Sequence, residues 1–311
     1  MSALISGSLA YDMIMRFPGD FGDQILPEQI HSLSVAFQVT ELRREYGGCA
    51  GNIAYTLTLL GDRALPVAAA GADFAPYAHW LEENGIARDH ILELDDIFTA
   101  QAFINTDDRG NQITAFYPGA MSRAHEQNLP RIADADIGIV APDGRKAMIE
   151  HAAAFAEAGV PFIFDPGQGL PLFDAGELEQ FMHQATWLAM NDYEAGAFRE
   201  KTRLSLEDIA DEVEALIVTR GGEGSIVYTD GEEIHIPAVQ TDAAVDPTGC
   251  GDAYRAGLLH GLAHGYDWKT TGRIASLAGS IKIASQGTQN HRFTPAEFAA
   301  RFEAAFGYSY A

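Results

Sequence analysis

The chain has 311 residues, and its 20 Lys and Arg against 44 Asp and Glu give a formal net charge of −24. A surface this acidic opposes non-specific attraction to nucleic acids and to anionic membranes. The hydrophobic fraction of 47% and the charged fraction of 21% are typical of a globular protein, not of a disordered acidic tail. The composition therefore predicts a folded protein with small-molecule partners and with neither nucleic acid nor membrane as a partner.

The two cysteines, Cys49 and Cys250, provide no disulfide framework and too few thiolates for a structural zinc site. The first residues lack the basic start of a signal peptide, and no apolar run of about 18 residues follows them. We therefore expect a cytoplasmic protein in a reducing compartment.

No repeat or linker divides the chain, so a single domain over residues 1–311 is predicted. Its first part mixes isolated strands with irregular sequence. The predicted elements are a strand at 2–8, an irregular stretch at 9–33, a half-exposed strand at 34–40, a helix at 49–60, a buried strand at 64–71, and a hairpin of strands 98–106 and 112–118.

From residue 136 onward, apolar strands alternate with helical segments, which is typical of crossover units in a parallel sheet. The strands are predicted at 137–142, 160–166, 187–191, 216–220, 224–229 and 233–237, and the helices at 145–158, 175–184, after 191, 250–264, 270–285 and 295–306. The pattern predicts a doubly wound, mainly parallel α/β sheet flanked by helices. Segments of roughly 9–45 and 98–118 are left over as a small β-sheet lid.

The most informative motif is DPTGCGDAYRAG at 246–257, where glycines precede a helical run. Free N–H groups at such a helix start attract anions, and glycine lets an anion approach the backbone. Asp252 lies in the first turn, where a carboxylate also serves as an ordinary cap and dipole partner. The isolated motif is compatible with both an anion site and a plain helix start.

Three further motifs have both a functional and a structural interpretation. They are GGCAGN at 47–52, NDYE at 191–194 and VTRGGEG at 218–224. Each one alone is explained by a tight turn or a helix cap as well as by ligand contacts. His260 and His264 are four residues apart on one predicted helix, but no acidic partner motif accompanies them, so we interpret them as surface or packing histidines.

The order of these motifs carries more information than any one of them. Asp12 in the loop after the first strand is followed by GGxxxN, NxxE, TRGxxG and TGxGD. In this order they resemble the ribokinase-type (PfkB-type) family of carbohydrate and nucleoside kinases. Pro247 and Cys250 depart from the usual form of the last motif. Within the family the chain is most similar to bacterial adenosine kinases, in the stretches 6–21, 46–57, 69–74, 116–121, 190–194 and 246–257.

The resemblance implies a role for each matching residue. Asp252 would be the general base, with the backbone N–H groups of Gly249, Cys250 and Gly251 stabilising the transferred phosphoryl group. Asp12 would accept hydrogen bonds from the ribose 2′- and 3′-hydroxyls. The implied nucleoside contacts are Ser8, Asp12, Gly48, Asn52, Phe103, Phe116 and Gln168. The implied ATP and ion contacts are Asn191, Thr219, Arg220, Gly222 and Gly224, with Glu194 for Mg²⁺ through water and Asp246 and the Thr248 carbonyl for an activating K⁺.

The resemblance thus implies an ATP- and Mg²⁺-dependent kinase that converts adenosine to AMP, an activity of purine salvage. Two alternatives stay open at this point. One is a sugar kinase of the same family, similar to a ribokinase or a fructokinase. The other is a non-catalytic nucleoside or sugar sensor on the same scaffold. The sequence also leaves open a homodimer that pairs through the lid.

Overall fold

The structure is a computed structural model that describes the chain except for residues 26–30, 33, 128, 130, 131, 133, 134, 242, 243 and 311. The strands of the described part are β1 (Ser2–Ser6), β2 (Ala10–Arg16), β3 (Glu41–Gly47), β4 (Arg63–Ala70), β5 (Ile91–Glu93), β6 (Ala100–Thr106), β7 (Gln112–Tyr117), β8 (Ile137–Val140), β9 (Phe162–Phe164), β10 (Trp187–Asn191), β11 (Ala215–Thr219), β12 (Ser225–Thr229) and β13 (Glu232–Ile236).

The α-helices of the same part are α1 (Phe21–Gln24), α2 (Cys49–Leu59), α3 (Ala75–Glu83), α4 (Arg145–Ala158), α5 (Ala175–Gln184), α6 (Asp192–Thr202), α7 (Leu206–Asp211), α8 (Cys250–Ala263), α9 (Trp268–Ile283) and α10 (Pro295–Phe306). Short 3₁₀ helices lie at Gly119–Glu126, Gly167–Leu172 and Gly221–Glu223.

The main sheet has the order β13-β12-β11-β10-β9-β8-β1-β4-β5 within the described residues. Its strands are parallel except where β12 pairs with β11 and with β13. Alternate residues of each strand enter different cores, because side chains point to opposite faces: Ile5 joins one hydrophobic cluster and Leu4 the other. The predicted doubly wound α/β fold is confirmed.

The small sheet has the order β3-β2-β6-β7. Strand β2 pairs parallel with β6 and antiparallel with β3, while β6 and β7 form the predicted hairpin. Strand β7 is exposed along its whole length. A second, smaller sheet built from the predicted lid segments is therefore present.

Two predictions for the first part of the chain are wrong. The stretch 9–33 is not wholly irregular, because it contains β2 and α1; residues 26–30 and 33 of it lie outside the described part. The predicted strand at 34–40 has the expected alternation of burial and places Phe37 against the ring of Phe17, but the ladder begins only at Glu41. The alternation thus identified an extended segment correctly and its pairing incorrectly.

Helices α8 and α9 pack closely beside the main sheet. A Cβ on Gly257 would lie 2.4 Å from the Cα of Ala275, so only glycine allows this approach.

Among the described residues, no helix is both long and apolar enough to cross a bilayer.

Candidate active site

The carboxyl ends of the parallel strands meet along one edge of the main sheet, which is where ligands bind in open α/β sheets. Strand β1 ends before Ser8, β9 before Asp165, β10 at Asn191 and β11 at Thr219. The topology therefore gathers residues from distant motifs at this edge.

Helix α8 begins at the predicted glycine motif. Gly249 is the N-cap in the left-handed region, with φ of 79°, and a Cβ on Gly251 would meet nothing within 4 Å. The first N–H groups of a helix have no intrahelical acceptor, so those of Gly251 and Asp252 are suited to an anion. The expectation for Cys250 is not met, because its N–H donates to the Pro247 carbonyl at 3.1 Å within the turn.

Asp252 is held by a relay of side-chain amides. Asn52 on α2 donates from Nδ2 to Asp252 Oδ2 at 2.8 Å, and Gln289 donates from Nε2 to Asn52 Oδ1 at 3.0 Å. Trp80 donates in turn to Gln289 Oε1 at 2.9 Å. The relay fixes the Asn52 amide with its donor side toward the carboxylate.

Burial raises the pKa of Asp252 to about 6. The hydrogen bond from Asn52 works in the opposite direction, while the nearby Asp165 carboxylate raises the pKa further. A carboxylate with a pKa close to, but below, neutral pH is ionised in the cell and still basic enough to accept a proton.

Asp12 lies on β2, opposite Glu45 of β3, and not in a loop as expected. Its pKa is also raised to about 6, first by burial and then by the charges of Asp252, Glu45 and Asp246. A Cβ at position 47 would lie 2.6 Å from Asp12 Oδ2, so Gly47 leaves room for this carboxylate. Asp12 and Asp252 thus form an acidic pair near the start of α8.

The start of α2 is fixed against the loop after β1. Gly48 is its N-cap, with φ of 86°, and a Cβ there would lie 2.5 Å from the carbonyl oxygen of Ser8. Ser8 Oγ accepts the N–H of Cys49 at 3.1 Å. These contacts position Asn52 one turn later on α2.

The two predicted aromatic contacts lie on different faces of the small sheet. Asp12 is in register with Ala102, which is in register with Phe116, so Asp12 and Phe116 share a face. Phe103 is one residue farther along β6 and therefore lies on the opposite face. Both rings are exposed, Phe116 at 52% and Phe103 at 38%.

Asn191 and Glu194 form a reciprocal capping box at the start of α6. Asn191 Oδ1 accepts the Glu194 N–H at 2.8 Å, and Glu194 Oε2 accepts the Asn191 N–H at 2.8 Å. Burial, followed by the charge of Asp165, raises the pKa of Glu194. One carboxylate oxygen of Glu194 is thus engaged in the cap, and the other is available to a cation or its water shell.

A buried ion pair beneath these residues was not predicted. Arg255 is one turn after Asp252 on α8, and it donates to Asp165 at 3.1 and 3.3 Å and to the Ala189 carbonyl at 3.2 Å. Arg255 and Asp165 are 4% and 6% exposed. Asp165 lies near the end of the predicted strand 160–166, so its position at a carboxyl end was a usable signal, whereas nothing local marked Arg255 as its partner.

The VTRGGEG motif forms the turn between β11 and β12. Arg220 is exposed and pairs with Glu223, and Gly222 is exposed beside it. Gly224 is buried with φ of 93°, and a Cβ there would lie 2.1 Å from the Ile236 carbonyl oxygen. Gly224 thus has a structural role, while Thr219, Arg220 and Gly222 border the site edge. Gln168 is likewise exposed, in the 3₁₀ helix after β9.

Asp246, one of the two residues predicted for K⁺, already has its oxygens engaged. Asp246 Oδ1 accepts the Thr248 N–H at 2.9 Å, and Oδ2 accepts the Gly287 N–H at 2.9 Å. The ammonium of Lys282 donates to the Asp246 carbonyl at 2.7 Å. A K⁺ ion does not fit beside this ammonium, since the two positive charges would compete for the same oxygen.

Both cysteines lie at the site and are protonated thiols. Burial raises the pKa of Cys49 well above its usual value and that of Cys250 to about 11. The thiolate is the reactive form of cysteine, so neither side chain has the character of a nucleophile.

Comparison with known proteins agrees with this geometry. Residues 19–295 match the pfkB family of carbohydrate kinases. A nucleoside kinase of Methanothermobacter thermautotrophicus is 34% identical over 275 residues, which cover 87% of this chain and 88% of that protein.

Two solved structures of a Burkholderia thailandensis nucleoside kinase are 50% identical to the chain. The complex with inosine has a TM-score of 0.90 and covers 99% of both chains. The ADP-inosine complex has a TM-score of 0.87 and covers 99% of this chain and 97% of that one. The chain therefore belongs to the pfkB family of ribokinase-like enzymes, and it is a phosphotransferase that uses ATP to phosphorylate a hydroxyl group.

Proposed function

We propose that the protein transfers the γ-phosphoryl group of ATP to the 5′-hydroxyl of a purine ribonucleoside. Adenosine is the substrate that the sequence motifs predict, and inosine is an equal candidate because the 50% identical Burkholderia kinase has been solved with inosine. The observation that carries the proposal is Asp252, a carboxylate with a pKa of about 6 in the first turn of α8, beside N–H groups that lack intrahelical acceptors.

In the proposed reaction, Asp252 accepts the proton of the 5′-hydroxyl as that oxygen bonds to the γ-phosphorus. The bond from this phosphorus to the bridging oxygen breaks, and ADP leaves with the electron pair. Asn52 keeps the carboxylate oriented through its 2.8 Å hydrogen bond. The N–H groups of Gly249, Gly251 and Asp252 receive the negative charge of the transferred group, which is the main requirement of phosphoryl transfer.

Nucleoside binding is proposed for the face of the small sheet that carries Asp12. Its carboxylate accepts hydrogen bonds from the 2′- and 3′-hydroxyls, and this contact relieves part of the burial penalty that raises its pKa. Phe116, on the same face, offers its exposed ring for stacking on the base. Phe103 is a weaker candidate, because it faces the other side of the sheet. Gln168 is a further candidate contact of the base from the 3₁₀ helix after β9.

Mg²⁺ is proposed beside Glu194, because both Asp165 oxygens are already paired with Arg255. Magnesium keeps most of its water shell in kinase sites, so one free carboxylate oxygen of Glu194 is a sufficient protein contact. When bound, the ion neutralises charge on the ATP phosphates. We propose that Asn191, Thr219, Arg220 and Gly222 border the ATP-binding side.

The small sheet is proposed as a lid and as the surface of a homodimer. Within the described part of the chain, β7 is an edge strand of this sheet, and Ile113, Phe116 and Tyr117 on it are 42%, 52% and 41% exposed. Sedimentation of the purified protein with and without Ile113→Glu tests this assembly. A monomeric wild-type protein would contradict it.

A substrate panel tests the proposed function. ADP formation from ATP is measured with adenosine, inosine, guanosine, ribose and fructose at matched concentrations. We expect the highest kcat/KM with a purine nucleoside. Preference for a free sugar would favour the ribokinase- or fructokinase-like alternative, and nucleoside binding without ADP formation would favour the sensor.

A further inference from the structure

Lys282 is a lysine with no exposed surface. It lies in the last turn of α9, and its side chain is 0% exposed. The ammonium donates to the Asp246 carbonyl at 2.7 Å and to the Ser285 carbonyl at 3.4 Å. Burial of a lysine is costly unless its charge is well compensated, so this position calls for an explanation.

The oxygens around Lys282 are of the kind that bind a monovalent cation. Rings of backbone carbonyls replace the hydration shell of K⁺, and here two carbonyls converge beside the Asp246 carboxylate. The lysine ammonium carries the same unit charge to the same oxygens. A second cation in contact with these oxygens would be repelled by the first.

The arrangement also fixes the start of α8. Asp246 precedes that helix, and Ser285 and Gly287 follow α9, so Lys282 and the Asp246 carboxylate join the two loops. Burial lowers the pKa of Lys282, and the charges of Asp246 and Asp252 oppose that shift and favour the ammonium form. The ammonium thus contributes positive potential next to the proposed phosphoryl site.

We propose that the Lys282 ammonium is the fixed monovalent cation of this site and that it makes the kinase independent of K⁺. It acts as a positioning residue, because it touches the loop and not the substrate. The inference rests on the proposed role of the α8 start in phosphoryl transfer. A purely structural role at the C-terminal end of α9, where a cation is favourable, is the competing explanation.

The first test uses the wild-type protein. We measure kcat with purine nucleoside and ATP in K⁺, Na⁺ and tetramethylammonium buffers of equal ionic strength. We expect the kcat values to agree within about twofold, because the Lys282 side chain itself supplies the cation. Equal ionic strength keeps the screening of other charges the same in all three buffers. A several-fold stimulation by K⁺ would overturn the proposal without need of any variant.

The second test removes the ammonium. Lys282→Ala is expected to lower kcat by about 10- to 100-fold, the range seen when a group that orients catalytic ligands is removed. Added K⁺ or NH₄⁺ should restore about 10-fold of this loss, whereas Na⁺ should not. Lys269→Ala, an exposed lysine on the same helix, is the matched control and should keep normal activity.

A folded Lys282→Ala variant with normal kcat, or with a loss that neither K⁺ nor NH₄⁺ restores, would show that the role is structural. Anomalous scattering from Rb⁺-soaked crystals gives a readout that does not depend on turnover. We expect Rb⁺ at the Asp246 carbonyl in Lys282→Ala and not in the wild type. Rb⁺ at that oxygen in the wild type would overturn the proposal even if the proposed substrate were wrong.

Discussion

A carboxylate lies near each end of helix α8, half-buried Asp252 at its start and buried Asp62 at its end, and the two have opposite surroundings. Asp252, in the first turn, has its pKa raised to about 6 by burial. Asp62 lies by the last turn, where His260 Nδ1 is 2.6 Å and His264 Nε2 is 3.0 Å from its oxygens. Burial also acts to raise the pKa of Asp62, but the hydrogen bonds and charges of the two histidines lower it overall.

The difference separates a group kept for chemistry from a group kept for stability. The oxygens and ring nitrogens of Asp62, His260 and His264 lie within 4.8 Å of one another, a grouping that could hold a metal ion. They already satisfy one another by hydrogen bonds, so we assign them a structural role. Asp252 has a perturbed pKa in the first turn of α8, beside N–H groups without intrahelical acceptors, which is typical of an active site.

The largest expected effect is at the first turn. Asp252→Asn should lower kcat by about 10²- to 10⁴-fold, because the proton acceptor is lost. Thermal unfolding should stay unchanged or shift upward, because a buried charge is removed. The matched control is Asp211→Asn, an exposed position on α7. Near-normal ADP formation by Asp252→Asn would show that the base is another group.

The other carboxylate should behave in the opposite way. Asp62→Asn is expected to lower the free energy of unfolding by about 1–3 kcal/mol, the size of hydrogen bonds to a charged group. Because folding lowers the pKa of Asp62, its contribution is present above the ordinary carboxyl pKa and is lost on acidification. Urea unfolding at pH 7 and at about pH 3, below the ordinary carboxyl pKa, measures both effects. A large loss of kcat in the folded variant would show that Asp62 also takes part in catalysis.

The smallest expected effect is on the pH dependence that Asp252 imposes on the reaction. The wild-type kcat/KM should fall about tenfold per pH unit below pH 6, as the base becomes protonated. Asn52→Leu removes the donor that favours the charged carboxylate, so the acid limb of the profile should move to higher pH. An unmoved limb would mean that Asn52 acts on the substrate alone. KM is measured in parallel, because Asn52 is also a proposed sugar contact.

The sequence was most informative where structure is local. The boundaries of α5, α10 and the β6–β7 hairpin follow from caps, periodicity and turn residues within a few positions. Strand β3 was not predicted, because its charged residues Arg43, Arg44 and Glu45 are more typical of an exposed loop. Asp12 was assigned to a loop for a related reason, since a carboxylate in a short strand breaks the apolar pattern.

The fold class, the glycine motif before α8 and the family to which the chain belongs were all predictable from the sequence. The pairing of distant polar groups depended on the tertiary structure: Asn52 meets Asp252 across 200 residues, His260 meets Asp62 across 198, and Lys282 meets the loop before α8. The physical reason is that caps, turns and periodicity act over a few residues, whereas burial and pairing depend on parts of the chain that the sheet brings together. The fold likewise creates local positive potential at Lys282 and the start of α8 in a chain whose net charge is −24.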